Sequence, residues 1–362
     1  MTAGEGKRTL GKGEHMAKIG YLFPILNDKA DAKRETKPLA GLARTAAEAP
    51  LDSTGCLTEY RPLASRSILS KTVSRRGLPF THAINPYRGC EFACRYCYAR
   101  YTHEFLEMEP AEFEQKIYFK ENAAWLLEQE LRRFKPEKEI AIGTATDPYQ
   151  PLERKLKITR SLLEVFARHS GLHLGIVTKS TLVARDIDLL QEIARRNKLT
   201  VHLTITTMNA KLARVLEPRA PRPDLRVRTV KQLREAGLRA GVLCCPLMPG
   251  ITDSPSSIRA VARAAADAGA CFLGAAALFL KPCSLPTFLA FVREHFPAQI
   301  AAYEQRYATS AFVSPAYRKR MTELVETIRE EFKLGKRYMY EKSSAEETPL
   351  VELQQRLPFA QA

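Results

Sequence analysis

The sequence predicts an α/β fold: about six β–α units, with parallel strands inside and helices outside. Two observations carry this. From about Phe80 to Leu280, short β-branched or apolar runs alternate with longer amphipathic stretches. Each run is short enough for a buried strand, and each stretch between them is long enough for a crossover helix. Such alternation builds a parallel sheet, either curled into a partial barrel or left open and doubly wound.

Taken in order, the segment before Cys90 is the first strand. Residues 140–143, 172–178, 200–206, 240–245 and 271–276 are the next five. Helical periodicity fills 121–134, 159–168, 185–196, 226–236 and 256–268 between and after them. Residues 1–78 mix Gly, Ala, Lys and Ser without sustained periodicity and read as an irregular, basic N-terminal extension. The β–α core is expected over 79–282, a helical C-terminal extension over 283–340, and a charged mobile tail over 341–362.

The chain has 362 residues, of which 45% are hydrophobic, so a large core is within reach. Eight cysteines are too few for a secreted disulfide scaffold, and three of them cluster at ligand spacing, which points to a reducing, cytoplasmic setting. No apolar run reaches the roughly 18 residues of a membrane span, and the N-terminus lacks an apolar leader. The net charge of +16 is spread along the chain, which suits a polyanionic partner such as nucleic acid or simply a basic surface.

Chemistry concentrates at Cys90, Cys94 and Cys97, a C-x3-C-x2-C loop with Tyr96 just before the last cysteine. Three thiolates on one loop can hold three irons of a cubic cluster and leave the fourth open to a small molecule. The competing reading is a zinc site made of these cysteines and His103. Parallel β–α folds place their sites at the C-terminal ends of strands, and this loop follows the first strand. Gly89 would relieve crowding at the turn into it.

The loop resembles that of the radical S-adenosylmethionine superfamily. Residues 85–90 and 97–100 make it similar to proteins related to spore photoproduct lyase, as do Gly143–Glu153, Thr178–Ser180, Leu216–Pro221 and Pro246–Gly250. The resemblance spans roughly residues 66 to 335. It implies a partial (β/α)6 barrel and a 4Fe–4S cluster on the three cysteines. S-adenosylmethionine would bind the open iron and be reductively cleaved to a 5′-deoxyadenosyl radical that abstracts a hydrogen atom. An electron donor of flavodoxin or ferredoxin type is then expected. Spore photoproduct lyase uses a cysteine some tens of residues past its cluster as a hydrogen donor, but here the next one is Cys244.

Further candidates line the expected rim. Tyr96 suits a stacked organic ligand. Thr144 and Thr146 are expected neighbours of the cofactor's methionine part, while Asp147 reads as structural or substrate-facing. Lys179 is expected to meet the cofactor carboxylate. Thr204 and Thr206 share one strand face, from which they can bond ribose or carboxylate. Glu217 and Arg219 either pair or orient the cofactor. Of the adjacent Cys244 and Cys245, one alone can face the cavity as a hydrogen donor. Cys56, Cys271 and Cys283 read as structural. Two functions follow: a radical S-adenosylmethionine enzyme acting on an unassigned substrate such as nucleic acid, or a basic nucleic-acid-binding protein with a structural zinc or iron–sulfur site.

Overall fold

A computed structural model describes residues 39–72, 80–134 and 139–337. The described residues from 40 onward belong to one compact unit. Its centre is a seven-stranded sheet: β1 (Leu69–Lys71), β2 (Phe80–Ile84), β3 (Glu139–Ile142), β4 (His173–Thr178), β5 (Lys198–Thr204), β6 (Ala240–Leu247) and β7 (Leu273–Ala277). The strands lie side by side in chain order. β2 to β7 are mutually parallel, and β1 adds an antiparallel edge to β2.

That order decides between the two architectures left open by the sequence. A doubly wound sheet reverses its strand order and so puts helices on both faces. Here the order never reverses. With right-handed crossovers, all the connecting helices then fall on one face, and the sheet curls around the other. The fold is a partial (β/α)6 barrel.

Burial follows the same division. Ile140, Ile142, Leu174, Ile176, Val201, Leu203, Ala240, Val242 and Leu273 are 0% exposed and belong to the main apolar core on the helix side. The alternating set is smaller and more polar. It includes Glu139, Gly175, His202, Gly241 and Gly274. Its glycines leave room: a Cβ on Gly175 would sit 1.9 Å from Glu139 Oε1, and one on Gly241 2.6 Å from the Phe272 ring.

The crossover helices are α1 (Ala123–Leu131), α2 (Ile158–Arg168), α3 (Ile187–Arg196), α4 (Pro223–Glu235) and α5 (Pro255–Asp267). α2 shows why they form: Ile158, Leu162, Val165 and Phe166 recur at helical spacing and are all buried. α5 opens on Ser254, whose hydroxyl accepts from the Ser257 N–H at 3.2 Å, with Pro255 at the first helical position. After β7 the chain is helical in α6 (Leu285–His295), α7 (Ile300–Tyr307) and α8 (Pro315–Glu331).

The reading of 1–78 as irregular needs correction over its described part. Gly41–Glu48 is a helix, and Ser53–Thr54 and Glu59–Pro62 join Lys116–Phe119 and Tyr87–Arg88 in a second, four-stranded sheet. Strands of two to four residues are too short to leave a readable period. Residues 1–38 and the tail 341–362 lie outside the described residues.

Candidate active site at the barrel rim

Cys90 does not follow its strand directly, as the sequence suggested. Asn85 and Pro86 intervene, and Tyr87–Arg88 pairs with Lys116–Phe119 of the small sheet. The turn into the cysteine loop is made by Gly89 at φ +82, where a Cβ would meet the Phe113 and Lys116 carbonyl oxygens and Ile117 Cδ1, each at 2.8 Å. From there the loop is tied at several points. Cys90 N–H donates to Phe113 O at 3.1 Å, Arg95 N–H to Leu216 O at 2.9 Å, and Cys97 N–H to Cys94 O at 3.2 Å. The Ser284 hydroxyl, completely buried at the start of α6, donates to Cys97 O at 2.8 Å.

All three cysteines are free. Burial pushes the Cys90 thiol well up, and the charges of Asp147, Cys94 and Cys97 add to it. Burial likewise pushes Cys94 up to about 12, against the pull of Lys179. Cys97 moves the same way, against Arg100. Three desolvated thiols close enough to feel each other are costly as bare thiolates, and a cationic iron centre offsets that cost. The donor set therefore fits a 4Fe–4S cluster. It fits the zinc reading poorly. His103 is completely buried elsewhere, with Nε2 3.0 Å from Lys116 O and its ring edge-on to Phe113 and Tyr118.

Behind the loop lies a buried polar network. The Tyr96 hydroxyl donates to Glu217 and lies 3.1 Å from Thr206 Oγ1. Thr206 is within 2.9 Å of both Glu217 Oε1 and the Cys245 carbonyl. Glu217 is paired with Arg226 at 2.6 Å, each side chain 1% exposed. Burial works against the charge on Glu217, but Arg226 and then Lys179 outweigh it and hold its carboxyl below the usual range. Lys179 Nζ sits 5.6 Å from the centroid of the Tyr96 ring. Burial opposes its charge too, and Cys94, Glu217 and Asp147 overcome that and hold its pKa up.

The remaining candidates separate. Thr144 has its carbonyl bonded by the Tyr98 hydroxyl and its Oγ1 3.4 Å from Asn85 Nδ2. The Thr146 hydroxyl donates to Gly89 O at 2.6 Å and so braces the cysteine turn. Asp147 has both oxygens engaged: it accepts from Thr178 Oγ1 at 2.6 Å, Lys179 N at 2.7 Å and Tyr149 N at 3.0 Å. Thr204 is buried, and its carbonyl accepts from Arg226 at 3.0 Å. Glu217 and Arg219 do not pair. Arg219 instead donates to the Glu91 and Glu114 carbonyls at 3.4 and 3.2 Å. Cys244 is 1% exposed and belongs to the helix-side core, whereas Cys245, one residue on, takes the interior face and feels the charge of Arg337 and Lys179. Sequence reasoning missed Arg226. The signal was there: Arg226, Val230 and Leu233 share one helical face, so a cation occupies a position in an otherwise buried stripe.

Comparisons with known proteins agree with this geometry. The family profile described as Radical SAM superfamily matches residues 84–260. An uncharacterized protein of Mycobacterium tuberculosis is 32% identical over 278 residues, covering 76% of this chain and 82% of its own. One of Methanocaldococcus jannaschii is 31% identical over 172 residues, covering 48% of this chain and 62% of its own. Among solved structures, spore photoproduct lyase complexed with dinucleoside spore photoproduct superposes with a TM-score of 0.55 at 14% identity, over 75% of this chain and 79% of that one. A mutant of the same lyase with bound AdoMet and the dinucleoside photoproduct gives 0.53 at 14% identity, over 74% and 78%. Fold and family profile together define a barrel enzyme. The chain belongs to the radical SAM superfamily.

Proposed function

We propose that the protein holds a 4Fe–4S cluster on Cys90, Cys94 and Cys97 and uses it on S-adenosylmethionine to start radical chemistry on a nucleic-acid substrate. The observation that carries the reading is the tricysteine loop on the barrel rim, backed by Tyr96 and Lys179. The chemistry supplied there is one-electron cleavage of S-adenosylmethionine to a 5′-deoxyadenosyl radical, with a flavodoxin- or ferredoxin-type donor as the source of the electron.

The chain's own residues have distinct parts in this. Lys179 offers an ammonium to the cofactor carboxylate, and the Tyr96 ring beside it offers a flat apolar face. Thr204, Thr206 and Glu217 shape the wall beneath. Backbone carbonyls around Thr144 and Thr146 would accept from the cofactor's ammonium. The Cys245 thiol on the inner wall is the hydrogen donor. A nucleic-acid substrate is supported by the net charge of +16 and by the dinucleoside bound in the lyase of similar fold.

The test is anaerobic reconstitution with iron and sulfide, reduction with dithionite, and assay of 5′-deoxyadenosine release from S-adenosylmethionine. A brown protein with a full cluster and no release counts against the enzyme reading. One zinc per chain with no iron supports the rival, a structural site in a basic binding protein.

A further inference from the structure

Lys179 sits near two carboxylates and pairs with neither. The charges of Glu217 and Asp147 both reach its ammonium, yet among the described residues it makes no ion pair. Both carboxylates are committed elsewhere. Asp147 has one oxygen on the Thr178 hydroxyl and the Tyr149 N–H, and the other on the backbone N–H of Lys179 itself, at 2.7 Å. Glu217 has Oε1 on the hydroxyls of Tyr96 and Thr206 and Oε2 at 2.6 Å from Arg226.

Arg226 is itself locked. It is 1% exposed, donates through Nε to Pro221 O at 2.7 Å, and donates through Nη1 to Thr204 O at 3.0 Å. Its position on α4 is fixed by Val230 and Leu233, which are buried in the same stripe. A guanidinium held this way keeps Nη2 2.6 Å from Glu217 Oε2 and cannot follow the carboxylate if it moves. Without it, the other cation whose charge reaches the buried Glu217 is Lys179, and an uncompensated buried carboxylate is costly enough to seek it.

We propose that Arg226 is a positioning residue: by holding Glu217, it keeps that carboxylate off Lys179 and reserves the ammonium for the carboxylate of incoming S-adenosylmethionine. This rests on the reading above that Lys179 receives that group. The network is then a selectivity device. The site carries a cation whose internal competitors have been withdrawn, so a ligand must bring its own carboxylate to satisfy it.

The experiment measures S-adenosylmethionine binding to the anaerobically reconstituted full-length protein, by equilibrium dialysis and by the ligand-induced change in the electron paramagnetic resonance spectrum of the reduced cluster. Arg226→Met is expected to weaken binding on the order of ten- to a hundredfold, the size of one lost charge-assisted hydrogen bond. Arg226→Met with Glu217→Gln is expected to recover most of that loss, because a neutral amide no longer captures Lys179. A merely structural role makes the loss and recovery of binding follow the melting temperature, whereas capture of Lys179 weakens binding even where the melting temperature is kept. Thermal melting checks the fold, and Arg226→Gln, which keeps donors for the Thr204 and Pro221 carbonyls, replaces the methionine variant if that does not fold. A double variant as weak as the single one, or a single variant that binds normally, overturns the proposal. Lys179→Met separates the two layers. If it abolishes binding while Arg226→Met is silent, only the Arg226 inference fails; if it binds normally, the Lys179 reading fails with it.

Discussion

Gly89→Ala is a small change at the hinge of the cysteine loop, and its cost can be worked from the geometry. Gly89 has φ +82, in the region where an L side chain strains the backbone by about 1–2 kcal/mol. The added Cβ would also stand 2.8 Å from Phe113 O, Lys116 O and Ile117 Cδ1. Two of these three are backbone oxygens, Phe113 O in the 3-10 turn Pro110–Glu114 and Lys116 O in the paired strand, and neither can swing aside as a side chain can, so an overpacking cost of about 1–3 kcal/mol adds to the strain. The total is about 2–5 kcal/mol, a large part of a typical domain's stability. Moving the Phe113 carbonyl also opens its bond from the Cys90 N–H, and moving residue 89 disturbs the Thr146 hydroxyl that caps the Gly89 carbonyl. Urea denaturation of the metal-free protein should show the loss of stability, and reconstitution should show less iron per chain. A variant within about 1 kcal/mol of wild type, loaded with iron to the same level, would refute the claim that this turn is sterically closed to a side chain.

Alanine at any one of Cys90, Cys94 or Cys97 should abolish both the brown chromophore and 5′-deoxyadenosine release, measured by absorbance and chromatography. Cys245→Ala should leave that release intact and change the substrate product, whereas Cys244→Ser, which buries a hydroxyl in the helix-side core, should cost about 1–3 kcal/mol in urea denaturation. His103 gives a pH signature. Burial lowers its pKa from 6.5 to about 4. The unfolded chain therefore takes up the proton first, and stability falls as pH drops from about 6.5 to about 4, by about 3 kcal/mol in all. Denaturation midpoints compared with His103→Phe across that window should show a shallower slope in the variant, because His202, also lowered by burial, still contributes in both. Ser284→Ala leaves the Cys97 carbonyl without its buried donor. It should cost about 1 kcal/mol and speed amide hydrogen exchange in the cysteine loop.

Strand and helix runs, the tricysteine spacing and the aromatic next to Cys97 were legible in the chain itself. Periodicity and ligand spacing act over a few residues, so they survive without a fold. The core helices fall within a few residues of their expected ends, and α2 and α5 carry their own apolar stripes and, in α5, a serine cap. Partnerships across long separations were not legible. Glu217 stands two residues from Arg219, yet pairs with Arg226 and reaches Tyr96, 121 positions away. Ser284 bonds a carbonyl 187 positions back. His103, six residues past Cys97, turns into an apolar pocket of the small sheet instead.

Cys244 and Cys245 mark the boundary between the two kinds of knowledge. Alternation along a strand dictates that they point opposite ways, and any reader of the chain can say so. Which of them looks into the barrel depends on the register of β6 between β5 and β7 and on the sense in which the sheet curls, and those are set by strand pairing and helix packing over the whole domain.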